Sequence, residues 1–254
     1  MNDYKTKRHG NIKRGIYILP NAFTSLNLFC GFFAIVSSIN QEFEKSAIAV
    51  LIAVIFDSLD GKIARATNTT SQFGIEYDSL SDLVSFGLAP ALVMYMWVLK
   101  PMGRVGWLAA FLFATCGALR LARFNSMAEE TPNSYFLGLP IPAAAAMCST
   151  TVLFCAKHSI PYSDFPVIFL VGIYFLSFLM VSTIKYESFK KAELFKKMKF
   201  NVLVGIILIF VVIAQKPQLF LFTLGLIYVC SGPIHTLVLK VRSGQEKDIK
   251  THKL

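Results

Sequence analysis

Charge is what this chain has least of. Lys, Arg, Asp and Glu supply 16% of 254 residues while hydrophobic types supply 55%, and the mean hydropathy is +0.57. A soluble domain carries about 25% charged residues, so an ordinary soluble fold is disfavoured and a disordered chain is excluded. Cysteine is sparse and scattered: Cys30, Cys116, Cys148, Cys155 and Cys230 are odd in number and form no Cys-x2-Cys pair. That leaves no zinc or redox spacing to build on. Four histidines make no His-Glu-x2-His motif. Long linkers, internal repeats and low-complexity stretches are missing, which reads as one membrane-embedded domain over 1–254 with short tails at 1–15 and 240–254. Negative charge is scarcer than positive, 15 acids against 25 bases, a net charge of +10. In a hydrophobic chain such an excess reports topology and contact with anionic membrane lipid, not a nucleic-acid partner.

What is abundant is apolar sequence in blocks. A membrane-crossing helix needs about 20 mostly apolar residues, and eight blocks approach that length. They run near 22–39, 46–65, 77–99, 105–123, 142–156, 165–184, 200–214 and 218–239, the fifth and seventh being short, so six to eight spans are expected. The first block follows a basic lead but is spotted with Asn21, Thr24, Ser25 and Asn27 and lacks a small-residue cleavage site, so it reads as a retained span. With eight spans, 20 of the 25 basic residues fall on one side. The positive-inside rule then makes both termini cytoplasmic in an all-α, polytopic helical bundle of the cell membrane. The basic connection from Lys185 to Lys199 fits that topology and contact with anionic lipid better than nucleic acid.

One window breaks the apolar pattern. Asp57 and Asp60 end the second block, and Asp78 and Asp82 begin the third. An ionised side chain at mid-membrane costs at least about 2.5 kcal/mol, so intramembrane acids are functional candidates. At 100° per residue, Asp57, Asp60, Gly61, Ala64 and Arg65 share a helix face about 140° wide, and Asp78 and Asp82 lie about 40° apart on the next helix. Two neighbouring helices can thus turn four carboxylates towards one point. Carboxylates that close repel, and a divalent cation relieves them; an all-oxygen set suits Mg2+ or Mn2+ and disfavours zinc. Gly61 and Ala64 lack bulk, so a ligand can approach the backbone, and the Arg65 guanidinium suits a phosphate or pyrophosphate.

The pattern Asp57-x2-Asp60-Gly61-x2-Ala64-Arg65-x8-Gly74-x3-Asp78-x3-Asp82 resembles, at every position, the signature of the CDP-alcohol phosphatidyltransferase family. The signature covers residues 57–82, about a tenth of the chain, and its eight spaced positions make it specific. The resemblance implies a helical membrane enzyme, often a homodimer, with a site open to the cytoplasm and two metal ions. It implies metal binding by Asp57, Asp60 and Asp78, with Asp82 as general base and ligand to the second ion. Gly61, Ala64, Arg65, Ser71 and Gly74 correspond to the CDP-lipid contacts. Pro20, Asn21 and Thr24 resemble the segment that helps hold the cytidine.

Two further stretches bear on the alcohol. Gly117-Ala-Leu-Arg120-Leu-Ala-Arg123-Phe-Asn125 and Phe136-Leu-Gly138-Leu-Pro140-Ile-Pro142-Ala-Ala resemble the membrane-integral phosphatidylserine synthase branch of that family. The implied reaction moves a phosphatidyl group from CDP-diacylglycerol to L-serine and releases CMP. Arg120, Arg123 and Asn125 are the candidate serine contacts, since a guanidinium can pair with the serine carboxylate. Terminal arginines also anchor helices by snorkelling, which leaves each of the two open. Two other readings stand beside this one: the same reaction with glycerol 3-phosphate as acceptor, and, more distantly, a cation transporter, because intramembrane acids also line ion paths.

Overall fold

The computed structural model describes residues 4–67, 71–126, 135–187 and 215–251. Its first two helices form an antiparallel hairpin. Helix α1 (Tyr4–Ile39) contains Pro20, where its apolar part begins, and ends in a tight connection at Asn40–Glu42 with Gln41 at φ 62°. Helix α2 (Phe43–Ala66) then returns alongside it, and the Ser46 hydroxyl donates to the Ala34 carbonyl across the seam at 2.6 Å. Such close approach needs small residues, and Ala34, Ala47, Val50 and Ala53 are among the buried positions of this hairpin.

Helix α3 (Gln72–Met102) is one long rod whose regular first part, Gln72–Asp82, gives way to wide turns at Leu83–Leu88 and Tyr95–Leu99. Wide turns of this kind concentrate at functional sites, and the first one starts at the residue after Asp82. Helix α1 is bolted to this rod by two hydroxyls: Ser81 donates to the Thr24 carbonyl at 3.1 Å, and Ser85 to the Asn27 carbonyl at 2.9 Å. Gly31 permits the contact, since a Cβ at that position would overlap Ser85.

Helix α4 (Arg104–Ser126) packs against α6 (Pro166–Val181), and α5 (Ile141–Lys157) packs against α2 and α7 (Pro217–Thr251). The Pro140-Ile-Pro142 stretch starts α5 cleanly, with Pro142 in the first turn where its missing N–H has no intrahelical partner to lose. Among the described residues the fold is helical, with one short strand pair beside the helices. Strands β1 (Tyr135–Leu137) and β2 (Lys185–Glu187) pair antiparallel, Phe136 opposite Tyr186.

Among the described residues, four helical stretches are long and apolar enough to cross a membrane: Pro20–Ile39, Gln72–Met102, Arg104–Ser126 and Pro217–Thr236. Helices α5 and α6 are apolar but shorter, and α2 carries Asp57, Asp60, Lys62 and Arg65. The expected seventh span at 200–214 lies outside the described residues. The sixth was expected to reach Ile184, but α6 stops at Val181. Ser182 turns to an extended conformation, and Arg123 takes the carbonyls at the helix end. Large apolar side chains such as Phe29, Phe32, Phe111, Ile168 and Phe178 point outward, as expected where the surrounding solvent is lipid and not water.

Candidate active site

The site lies where the end of α2, the start of α3 and the Pro20–Asn27 part of α1 converge. Asp57, Asp60 and Asp78 each offer a carboxylate oxygen, and the three oxygens lie within 4.8 Å of one another. Asp60 is buried, 4% exposed, and accepts a hydrogen bond from the Thr24 hydroxyl at 3.0 Å. One oxygen of Asp78, Oδ1, is buried without any hydrogen-bond partner. An unpaired buried carboxylate oxygen is costly, and here it belongs to a cluster of like charge. The donor set is all oxygen, so the residues present fit a hard divalent cation.

Asp82 is not part of that triad of oxygens. It lies one turn further along α3, 8% exposed, within electrostatic reach of Asp57, Asp78 and Asp60. Its Oδ1 accepts a hydrogen bond from Asn27 Nδ2 at 3.0 Å. Asn27 is fully buried, and its own Oδ1 has no partner. In the sequence Asn27 stands out only as one polar spot among several in the first apolar block. Its signal was the i, i+3, i+6 spacing of Asn21, Thr24 and Asn27, which keeps the three towards one side of α1.

The expected nucleotide contacts fall around the triad. The Arg65 guanidinium folds back over Gly61, where Nη1 would lie 3.4 Å from an added Cβ, and Arg65 acts electrostatically on Asp60. Ala64 is half-buried on the same helix. The Ser71 hydroxyl accepts from the Gly74 N–H at 3.0 Å and so caps the N-terminus of α3. A Cβ on Gly74 would sit 3.6 Å from Asn21 Oδ1, which puts α1 against the start of α3. Ser25 and Tyr77 hydroxyls, 2.9 Å apart, tie the same two helices. Pro20 is buried, and its carbonyl accepts from Thr24 at 3.2 Å.

The two arginines of α4 have different surroundings. Arg123 donates to four backbone carbonyls: Val181 at 2.8 Å, Leu137 at 2.9 Å, and Met180 and Ser182 at 3.3 Å. It joins the end of α6 to β1, over Gly138, whose φ of 78° and crowded surroundings suit no side chain. Arg120 is 7% exposed, its Nε has no hydrogen-bond partner, and Asp82 and Tyr228 lie within its electrostatic reach. Asn125 Nδ2 donates to the Ser79 hydroxyl at 2.9 Å, one residue beyond Asp78.

Fold and site together define a helical protein of membrane-spanning type with a carboxylate cluster suited to a divalent cation, flanked by cationic and hydrogen-bonding groups. The sequence profile of CDP-alcohol phosphatidyltransferases matches residues 17–179, and the chain belongs to that family of enzymes. It is 39% identical over 227 residues to the CDP-diacylglycerol–serine O-phosphatidyltransferase of Helicobacter pylori (strain ATCC 700392 / 26695), covering 89% of this chain and 94% of that one. It is 35% identical over 173 residues to the protein of that name from Bacillus subtilis (strain 168), covering 68% and 92%. A Methanocaldococcus jannaschii protein of the same name is 38% identical over 176 residues, covering 69% and 77%. Family membership sets the cation-transporter reading aside.

Proposed function

We propose that the chain transfers the phosphatidyl group of CDP-diacylglycerol to L-serine, forming phosphatidylserine and CMP. The observation that carries the reaction is the triad of carboxylate oxygens within 4.8 Å with Asp82 one turn away. The serine acceptor is supported by the relatives' names and by a buried arginine with an unsatisfied donor beside Asp82. The serine hydroxyl oxygen attacks the lipid-bearing phosphorus, the bond from that phosphorus to the CMP oxygen breaks, and CMP leaves. Asp82 accepts the hydroxyl proton. Asp57, Asp60 and Asp78 would hold Mg2+ or Mn2+, with Asp82 reaching a second ion. Divalent cations in such a site neutralise pyrophosphate charge and stabilise the leaving phosphate.

In this reading Arg65 pairs with the pyrophosphate, and Gly61, Ala64 and Gly74 leave room for it. Ser71 turns its hydroxyl from capping to contact only at the cost of the Gly74 bond, so its share is small. Pro20, Asn21 and Thr24 line the cytidine end. Arg120 takes the serine carboxylate, with Asn125 at the margin. Arg123 belongs to the fold, since its hydrogen bonds are spent on carbonyls.

We further propose one domain over 1–254 with eight spans, both termini cytoplasmic and the site facing the cytoplasm, acting as a homodimer in contact with anionic lipid. The loop-charge asymmetry supports that topology. A reporter fused after Leu254 that reads extracytoplasmic overturns it. The reaction is tested by giving the purified protein CDP-diacylglycerol with labelled serine, glycerol 3-phosphate or inositol. Serine-dependent CMP release with a phosphatidylserine product is expected. Robust use of glycerol 3-phosphate with no serine product overturns the acceptor.

A further inference from the structure

The carboxylate that takes the proton must present one oxygen to the acceptor hydroxyl and keep it there. A free Asp side chain does not do this, because rotation about its last bond exchanges the two oxygens at little cost. Asp82 is different. Its Oδ1 is engaged by Asn27 Nδ2 at 3.0 Å, from a helix other than its own. An amide donor on one oxygen makes the two unequal: Oδ1 is occupied, and Oδ2 is left for a proton.

The donor is itself held. Asn27 is fully buried, so its amide cannot trade this bond for water. Its backbone carbonyl accepts from Ser85, one turn beyond Asp82 on α3, and the preceding turn is tied the same way through Thr24 and Ser81. Gly31, one turn further along α1, lets the two backbones approach at Ser85. The α1–α3 seam therefore clamps the two turns that carry Asn27 and Asp82, and the bond between them is set by the backbone and not by side-chain chance. The amide orientation follows from the partner: a carboxylate only accepts, so the NH2 group faces Asp82 and the carbonyl faces away. That carbonyl is buried and unpartnered among the described residues. A buried amide that leaves half its hydrogen-bonding capacity unmet is a poor choice for stability alone.

We infer that Asn27 is a positioning residue for the transfer step: it fixes the rotation of Asp82 so that Oδ2 faces the acceptor hydroxyl. The inference rests on the phosphatidyl-transfer reading and on Asp82 as its base. It adds to that reading a residue outside the 57–82 signature.

The test compares the full-length wild type with Asn27→Leu, which keeps the volume and removes the donor. Turnover is measured in detergent–lipid micelles at saturating Mg2+ with CDP-diacylglycerol and serine. CDP-diacylglycerol binding and the thermal midpoint are measured on the same samples. Loss of positioning lowers kcat about 10- to 100-fold, with KM for serine and CDP-lipid binding unchanged. If Asn27→Leu does not accumulate as folded protein, Asn27→Ala, which also removes the donor and adds no charge, gives the same comparison. An unaltered kcat, even with a lower thermal midpoint, overturns the inference and makes Asn27 a packing residue. A raised KM for serine at wild-type kcat also overturns it, because the amide would then touch the acceptor. A wild type that releases no CMP with serine, glycerol 3-phosphate or inositol refutes the reaction reading instead. A fully active wild type beside a fully active Asn27→Leu refutes only the positioning role.

Discussion

Replacing each arginine of α4 by methionine separates the two roles that the sequence leaves merged. Methionine keeps much of the length and apolar stem and removes the guanidinium. On the proposed reading, Arg120→Met loses an interaction with the serine carboxylate made by a side chain only 7% exposed. A charge-assisted hydrogen bond there contributes about 2–3 kcal/mol, which corresponds to a rise of about 30- to 150-fold in KM for serine. CDP-diacylglycerol binding should not change, because the α1, α2 and α3 groups proposed to hold it are untouched. For Arg123→Met, two hydrogen bonds of 2.8 and 2.9 Å and two of 3.3 Å to backbone carbonyls disappear. The end of α6 and β1 lose their shared donor, and stability falls by about 2–4 kcal/mol, while KM for serine stays at the wild-type value in the protein that remains folded. The assay is serine-dependent CMP release over a serine titration, paired with a thermal melt in the same detergent. If Arg120→Met leaves KM for serine unchanged while Arg123→Met raises it, the assignment of the acceptor site is wrong.

Three other outcomes follow from the same geometry. Asp82→Asn removes the proton acceptor and keeps the shape, so CMP release should be abolished while CDP-diacylglycerol still binds; near-normal turnover would remove Asp82 as the base. Chelation with EDTA should silence the enzyme and added Mg2+ or Mn2+ restore it, with Asp57→Asn needing more metal for half-maximal activity; activity that persists through chelation would count against the triad as a cation site. Gly31→Val should destabilise the α1–α3 seam by about 1–3 kcal/mol or more, since its side chain would overlap Ser85; a thermal midpoint equal to wild type would show that the seam is looser than described.

The helices and the acid cluster were readable because both depend on local spacing. Apolar blocks set where helices run, and the period of 3.6 residues put Asp57 and Asp60 on one face and Asp78 and Asp82 on another. The end of α6 was not readable in that way. The apolar run continues to Ile184, yet the helix stops at Val181, because an arginine 58 residues earlier in the chain donates to Val181 and its neighbours. The β1–β2 pair escaped notice for the same reason: three residues on each side have no periodicity to detect, and their partner lies about fifty residues away.

Spacing alone puts the four acids in one group, and the structure separates their oxygens. Asp57, Asp60 and Asp78 gather their oxygens, while Asp82 is drawn aside by Asn27. Spacing alone could not reveal this, because Asp78 and Asp82 are equivalent on a helical wheel and differ only in what α1 presents to each. The same holds for Arg120 and Arg123, three residues apart and alike in sequence. One faces carbonyls that consume its donors, and the other keeps a buried donor unmatched beside Asp82. A polar group left unpaired inside a membrane helix bundle costs more than in water-filled surroundings. Among the described residues, unmatched buried side-chain atoms belong to Asp78 of the triad, to Arg120 and Asn27 near Asp82, and to Ser38 at the other end of α1. Helix periodicity thus finds which residues can meet, and the hydrogen-bond partners in the fold tell apart residues that the helical wheel leaves equivalent.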